Sequence, residues 1–150
     1  MSDRMRRHKI QSLATLSAMV LVMGTLYNTG EPSGVGRQAP GPWPAAGSRV
    51  ARYARGLDYH KDIDERFLEL GAWMRANRDR AFDAAHFVDK HQVQERVYAH
   101  HAGVGWIGKN ACVISPELGS WMFLSGIAVS LELQPDAPAI DQCGSCTLCI

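Results

Sequence analysis

The chain has 150 residues and a mass of 16.5 kDa, with 46% hydrophobic and 21% charged residues. It is long enough to bury one ordinary core and too apolar to be a disordered tail. Sixteen Lys and Arg against fifteen Asp and Glu leave a net charge of +1. That removes any global electrostatic argument for nucleic acid, although a local basic face remains compatible with it.

The first apolar segment satisfies two descriptions. "RMRRHK" followed by "LATLSAMVLVMGTLY" (Leu13 to Tyr27) has the order of a secretory n-region and h-region, and is too short for a transmembrane helix. Met19 to Met23 is equally a continuous apolar run ending at Gly24, the pattern of a buried parallel strand. No small-x-small cleavage site precedes "NTGEPSG", which favours the strand. Asn28 to Ser48 is rich in Gly and Pro and reads as a long binding loop or a linker.

"YARGLDYH" (Tyr53 to His60) is either a ligand-facing segment or a helix start. Asp62 to Arg80 is an amphipathic helix, with Ile63, Phe67, Leu70 and Met74 on one stripe. Leu68, Ala72 and Trp73 would widen that stripe, and Asp62 or Asp58 would cap the helix. "AHFVD" (Ala85 to Asp89) is strand-like, and Gln92 to Gly103 a second helix with Val93, Val97 and Ala102 facing inward. Asn110 to Ile114 predicts a strand, Ser120 to Leu133 a longer interrupted one, and "QPDAPAID" a linker. Alternating helices and strands make the expected class α+β, with α/β-like layering.

"AGVGWIGKN" contains G-x-G-x-x-G at Gly103, Gly105 and Gly108. A dinucleotide fingerprint needs a strand before the first glycine and a helix opening at the third. Here the predicted order is the reverse. Gly103 suits the position after a helix end, and the three glycines make either a plain turn or a place where backbone approaches something broad and flat.

Cysteines carry the sharpest chemistry. Cys112 stands apart, while "CGSCTLC" places Cys143, Cys146 and Cys149 at i, i+3, i+6. That spacing matches the first three positions of a bacterial ferredoxin motif, gathers thiolates for a metal cluster rather than for disulfides, and predicts a reducing, cytoplasmic setting. Asp89, at a strand end before a helix, is either a helix cap or an acid. Glu95 and Arg96 read as a solvated pair, and His86, His91, His100 and His101 lack metal-ligand spacing.

"VARYARGLDYHK", "VD" followed by "ER", "AGVGWIGKN", "ISPELGSWMFL" and "CGSCTLC" stand in an order that resembles the epoxyqueuosine reductases, from about Ser17 to the end of the chain. These are cobalamin-dependent iron–sulfur enzymes of tRNA queuosine synthesis. The resemblance implies a partial cobalamin-binding domain over residues 1–134 and the start of a ferredoxin-like 4Fe-4S module over 135–150, the chain being a fragment truncated at both ends. It implies reduction of epoxyqueuosine to queuosine in tRNA, with electrons from 4Fe-4S clusters and Asp89 as proton donor. Tyr53, Asp89, Asn110 and Val113 would line the cobalamin site, and Cys143, Cys146 and Cys149 would hold a cluster. The partners implied are the modified tRNA and an unidentified electron donor, with no membrane and a monomeric protein. Lys90, His91 and Gln92 stand where the family carries a small residue and a proline. That departure supports an alternative, a non-catalytic remnant or an electron-transfer iron–sulfur fragment.

Overall fold

The computed structural model describes residues 19–27, 51–54, 56–89 and 93–150. The basic segment and first half of the apolar run, the Gly/Pro-rich stretch, and Lys90, His91 and Gln92 lie outside the described residues. The described elements are β1 (Met19–Leu26), a 3-10 turn (Arg52–Ala54), α1 (Tyr59–Ala76), β2 (Ala84–Val88), α2 (Glu95–His101), β3 (Trp106–Ile107), β4 (Val113–Ile114) and β5 (Met122–Val129). Mixed helices and antiparallel strands make the chain α+β. Among the described residues no helix is long and apolar enough to cross a membrane.

Helix α1 begins where a cap stands ready. Asp58 has extended ψ and its Oδ1 accepts the backbone N–H of His60 at 3.1 Å, satisfying one of the free donors of the first turn. The helix therefore starts at Tyr59, three residues before Asp62, the other candidate cap. Its buried residues are Ile63, Phe67, Gly71 and Met74. Ile63, Phe67 and Met74 pack with Val88, Ile127, Val129 and Leu131 into the core, with Leu70 partly buried beside them. Burying a side chain the size of Phe67 is worth roughly 1.5–3 kcal/mol. The stripe is narrower than its apolar content suggested. Leu68 and Trp73 are 66% and 63% exposed, because α1 turns one stripe to the sheet and, among the described residues, nothing covers its flanks.

The main sheet has the order β1-β5-β2, both pairings antiparallel. The expected buried parallel strand is thus corrected: Met19–Leu26 pairs antiparallel with β5, is the edge strand among the described residues, and is of intermediate burial except for the exposed Leu26. An apolar run alone does not separate these cases, since pairing direction depends on a partner a hundred residues away. Nor is β5 interrupted at Gly126. A Cβ there would lie 2.5 Å from the ring of Phe87, so the glycine admits that ring across the strand. The predicted strand over Asn110–Ile114 contracts to Val113–Ile114, in a short hairpin with β3. In α2 the buried residue is Ala99, and Val97 is 41% exposed, contrary to the expected inward face.

One mismatch of length shapes everything that follows. All eight residues of β5 pair with β1, but only Ser125–Val129 pair with β2. Beyond Val88, β2 leaves the sheet, and Met122–Leu124 have no strand on that side among the described residues.

Candidate active site

The space beside Met122–Leu124 is a pocket of about 290 Å³. Aromatic and apolar side chains (Tyr27, Tyr59, Val113, Met122, Phe123) form most of its wall, and Asp89 stands at its edge. Asp89 occupies the first position after β2, with a positive φ of 27°. Asp tolerates such a backbone better than most residues, and held conformations of this kind concentrate at functional sites. It does not cap α2. That helix starts six residues later with Gln94 at the cap and no side-chain cap bond, which removes the cap reading of Asp89.

Two residues at the start of α1 contact the Asp89 carboxylate, and a third, Asp58, contacts one of them. The Tyr59 hydroxyl donates to Oδ2. His60 Nε2 lies 2.8 Å from Oδ1, and His60 Nδ1 lies 2.6 Å from Asp58 Oδ1. Both ring nitrogens of His60 therefore face a carboxylate oxygen. Making both contacts as hydrogen bonds at once takes one proton more than a neutral imidazole carries. The His60 side chain is 18% exposed and Asp89 52%, so the imidazole is sheltered while the carboxyl faces the opening.

Rings fix this cluster in place. His60 stacks on Tyr59 with centroids 4.1 Å apart, and Tyr59 stacks on Phe123 of β5 at 3.8 Å. Burial, and then the hydrogen bond to Asp89, push the Tyr59 hydroxyl well above its ordinary value of 10.0, so it remains a donor throughout the neutral range. Burial likewise raises Tyr27.

The opposite wall comes from the glycine-rich turn. Gly103 has φ +74° directly after the helix end, as expected. The other two glycines answer to the chain itself rather than to a ligand. A Cβ on Gly105 would sit 2.3 Å from the Ile114 carbonyl oxygen, and one on Gly108 would sit 2.6 Å from the Ile114 side chain. They let the turn close on β4. The turn is tied by Gly108 N–H to Cys112 O at 2.8 Å, and Arg96 Nη1 donates to Ala111 O at 2.8 Å. Ala111, Cys112 and Val113 thereby reach the pocket, as does Arg96, which is bonded to the turn rather than paired with Glu95 in solvent.

Of the candidate cobalamin-site residues, Asp89 and Val113 line the pocket. Tyr53 is 51% exposed and sets its ring edge-on to Tyr27 and Phe123 at 6.4 Å, at the margin. Asn110 turns inward on its own loop, its Oδ1 accepting the Cys112 N–H at 3.1 Å. The sequence marks Asp58 only as a helix cap, Cys112 only as an isolated cysteine, and Tyr59 and His60 only as part of "YARGLDYH". The available signal was the helix start in "YARGLDYH", where first-turn side chains point past the helix end.

The cysteine loop lies apart from the pocket. Cys143 is half-buried, Cys146 and Cys149 are exposed, and all three are free thiols. Cys146 N–H donates to Cys143 O at 3.0 Å around Gly144, whose φ is +46°. Among the described residues no three His, Cys, Asp or Glu side chains are grouped as a metal site. The donor set, three accessible thiols within seven residues, nonetheless suits iron–sulfur ligation. The pocket, open and walled by aromatic rings, suits a broad flat ligand.

Fold and site together define an α+β domain with a pocket edged by a Tyr59–His60–Asp89 cluster and a separate thiol-rich loop. The family described as epoxyqueuosine reductase QueG, DUF1730, matches residues 7–90, more than half of the chain. An epoxyqueuosine reductase of Gloeobacter violaceus is 41% identical over 97% of this chain and 42% of its own length. The structure of epoxyqueuosine reductase from Streptococcus thermophilus superposes with a TM-score of 0.66 at 26% identity, over 85% of this chain and 32% of that one. An epoxyqueuosine reductase solved with an epoxyqueuosine-modified tRNA-Tyr stem loop shares the fold, with a TM-score of 0.61 at 19% identity over 95% of this chain and 50% of that one. The chain belongs to the epoxyqueuosine reductase family, and it spans less than half the length of the Gloeobacter relative.

Proposed function

We propose that the protein reduces epoxyqueuosine to queuosine in tRNA, with residues 1–134 holding cobalamin and 135–150 beginning a 4Fe-4S module. The observation that carries this reading is the Asp58–His60–Asp89 line with Tyr59, at the edge of an aromatic pocket in a chain of this family. Cobalamin, when bound, supplies the reducing power that opens the epoxide. The residues of the chain handle the proton. Epoxide oxygen must leave as water, and hydroxide is a poor leaving group near neutral pH, so an acid has to stand beside it. Asp89 Oδ1 holds such a proton in common with His60 Nε2, and Asp58 orients the imidazole through Nδ1. Tyr59 satisfies Oδ2, leaving Oδ1 as the oxygen that exchanges its proton.

Tyr27, Tyr59 and Phe123 would bear on the flat ligand, with Val113 and Met122 excluding water. Cys143, Cys146 and Cys149 would ligate the cluster that passes electrons towards the pocket from an external donor. The tRNA partner is supported by the relative solved with a modified stem loop.

The test is Asp89→Asn, which preserves shape and tolerates positive φ while removing the acid. Queuosine formation should fall by roughly 10²–10⁴-fold, the usual contribution of a general acid. Cobalamin and iron contents should stay normal. Turnover near wild type would remove Asp89 from the chemistry. Absence of turnover in the wild type, with cluster and electron uptake intact, would favour the electron-transfer reading that Lys90, His91 and Gln92 suggest.

A further inference from the structure

Lys109 sits in the glycine-rich turn but reaches away from the pocket. Its Nζ donates to two carbonyl oxygens of the cysteine loop, Gly144 O at 3.0 Å and Cys146 O at 2.7 Å. These contacts bridge 35 and 37 residues of sequence. An exposed lysine is costly to order, so one solvent-facing contact would mean little. Two charge-assisted bonds from one ammonium to carbonyls two residues apart are a different matter, because they fix the loop in both position and orientation.

The base of Lys109 is equally fixed. Gly108 N–H donates to Cys112 O, Ala111 N–H to Gly108 O, and Cys112 N–H to Asn110 Oδ1. Arg96 holds Ala111 O from the other side. The same turn supplies Ala111, Cys112 and Val113 to the pocket wall. One five-residue turn therefore touches the pocket with one end and the cysteine loop, through Lys109, with the other.

We propose that Lys109 is a positioning residue that fixes the three-cysteine loop relative to the pocket and sets the charge beside it. This rests on reading the three thiols as cluster ligands. A thiolate-ligated iron–sulfur cluster becomes more negative on reduction, and a cation held at the loop backbone favours the reduced state. Lys109 thus both limits the separation between electron source and pocket and raises the cluster's reduction potential.

The test uses Lys109→Gln and Lys109→Arg with two readouts. In the cluster-free protein, amide hydrogen exchange over residues 143–150 should quicken roughly tenfold in Lys109→Gln, as expected for loss of a local tether, while α1 and β5 stay as in wild type. In the anaerobically reconstituted protein, the midpoint potential followed by electron paramagnetic resonance should move to more negative values in Lys109→Gln and recover in Lys109→Arg. Unchanged exchange over 143–150 overturns the tether. Quickened exchange with an unmoved potential overturns the electrostatic role. Stoichiometric zinc without sulfide in the wild type would instead sink the cluster reading and the potential effect with it, and the exchange comparison would still decide the tether.

Discussion

The ring of Tyr59 lies face to face with that of Phe123, 3.8 Å between centroids and 9° from parallel. This contact joins the first turn of α1 to the start of β5 and so sets where the Tyr59 hydroxyl meets Asp89. Phe123→Leu keeps an apolar side chain but removes the stacked partner. Stability should fall by about 1–2 kcal/mol, the scale of an aromatic pair together with lost area. The Tyr59 hydroxyl, less buried, should titrate closer to its ordinary value in an ultraviolet difference titration. An unshifted titration would show that the stack does not control the Tyr59 environment.

His60→Gln retains a hydrogen-bond donor near Asp89 but cannot carry a proton between two carboxylates. Epoxyqueuosine turnover should drop by roughly tenfold or more, less than for loss of the acid itself. The fold should stay intact, and the acidic limb of the pH–rate profile should change shape. A profile superimposable on wild type would confine His60 to a structural role.

Tyr59 also gives the pH dependence a sign. Its folded-state value is raised, so above pH 10 the folded state keeps a proton that the unfolded state releases. The stabilisation is complete below the ordinary value of 10.0 and is lost as pH rises past it. Denaturant midpoints should decline above about pH 10, and Tyr59→Phe should flatten that decline. An equal slope in the variant would assign the alkaline loss to other groups, Tyr27 first among them.

Two substitutions in the glycine-rich turn should move stability in opposite directions. Gly105→Ala forces a methyl against the Ile114 backbone and should cost about 3 kcal/mol, the upper range for overpacking. Ala111 has φ +62°, where glycine is at ease. Ala111→Gly should gain about 1 kcal/mol after the entropy of glycine is set against the relieved strain. Thermal melts of the two variants decide both, and a neutral Gly105→Ala would mean the hairpin yields without loss.

How much of this was legible follows from range. The core stripe of α1, the Asp58 cap and the helix-ending Gly103 each depend on neighbours within a turn or two, and their residue types announce them. The pairing direction of β1 depends on β5, a hundred residues on, and nothing local in an apolar run encodes it. Gly105 and Gly108 were visible as glycines, but what demands them is Ile114, which no motif pointed to. Asp89 was readable as a carboxylate of two possible uses. Its partners Tyr59 and His60 are 30 and 29 residues away, brought to it by the packing of α1 on the sheet. The exposed Leu68 and Trp73 show the converse error, apolar residues counted as core where, among the described residues, no second layer covers them.

Among the described residues β2 pairs with β5 only as far as Val88, so the peptide N–H and C=O groups of Met122–Leu124 that point away from β1 have no strand partner there. Such groups belong to every residue except proline and carry no side-chain identity. A scan that trims side chains to alanine would pass over them, reporting a weakly sensitive floor under a strongly sensitive wall. Only a proline, which deletes the N–H and breaks pairing with β1 as well, would expose them, and it would do so at the expense of the sheet. Any polar contact made on this floor would therefore follow from the length of a strand, and sequence drift could change its surroundings without erasing it.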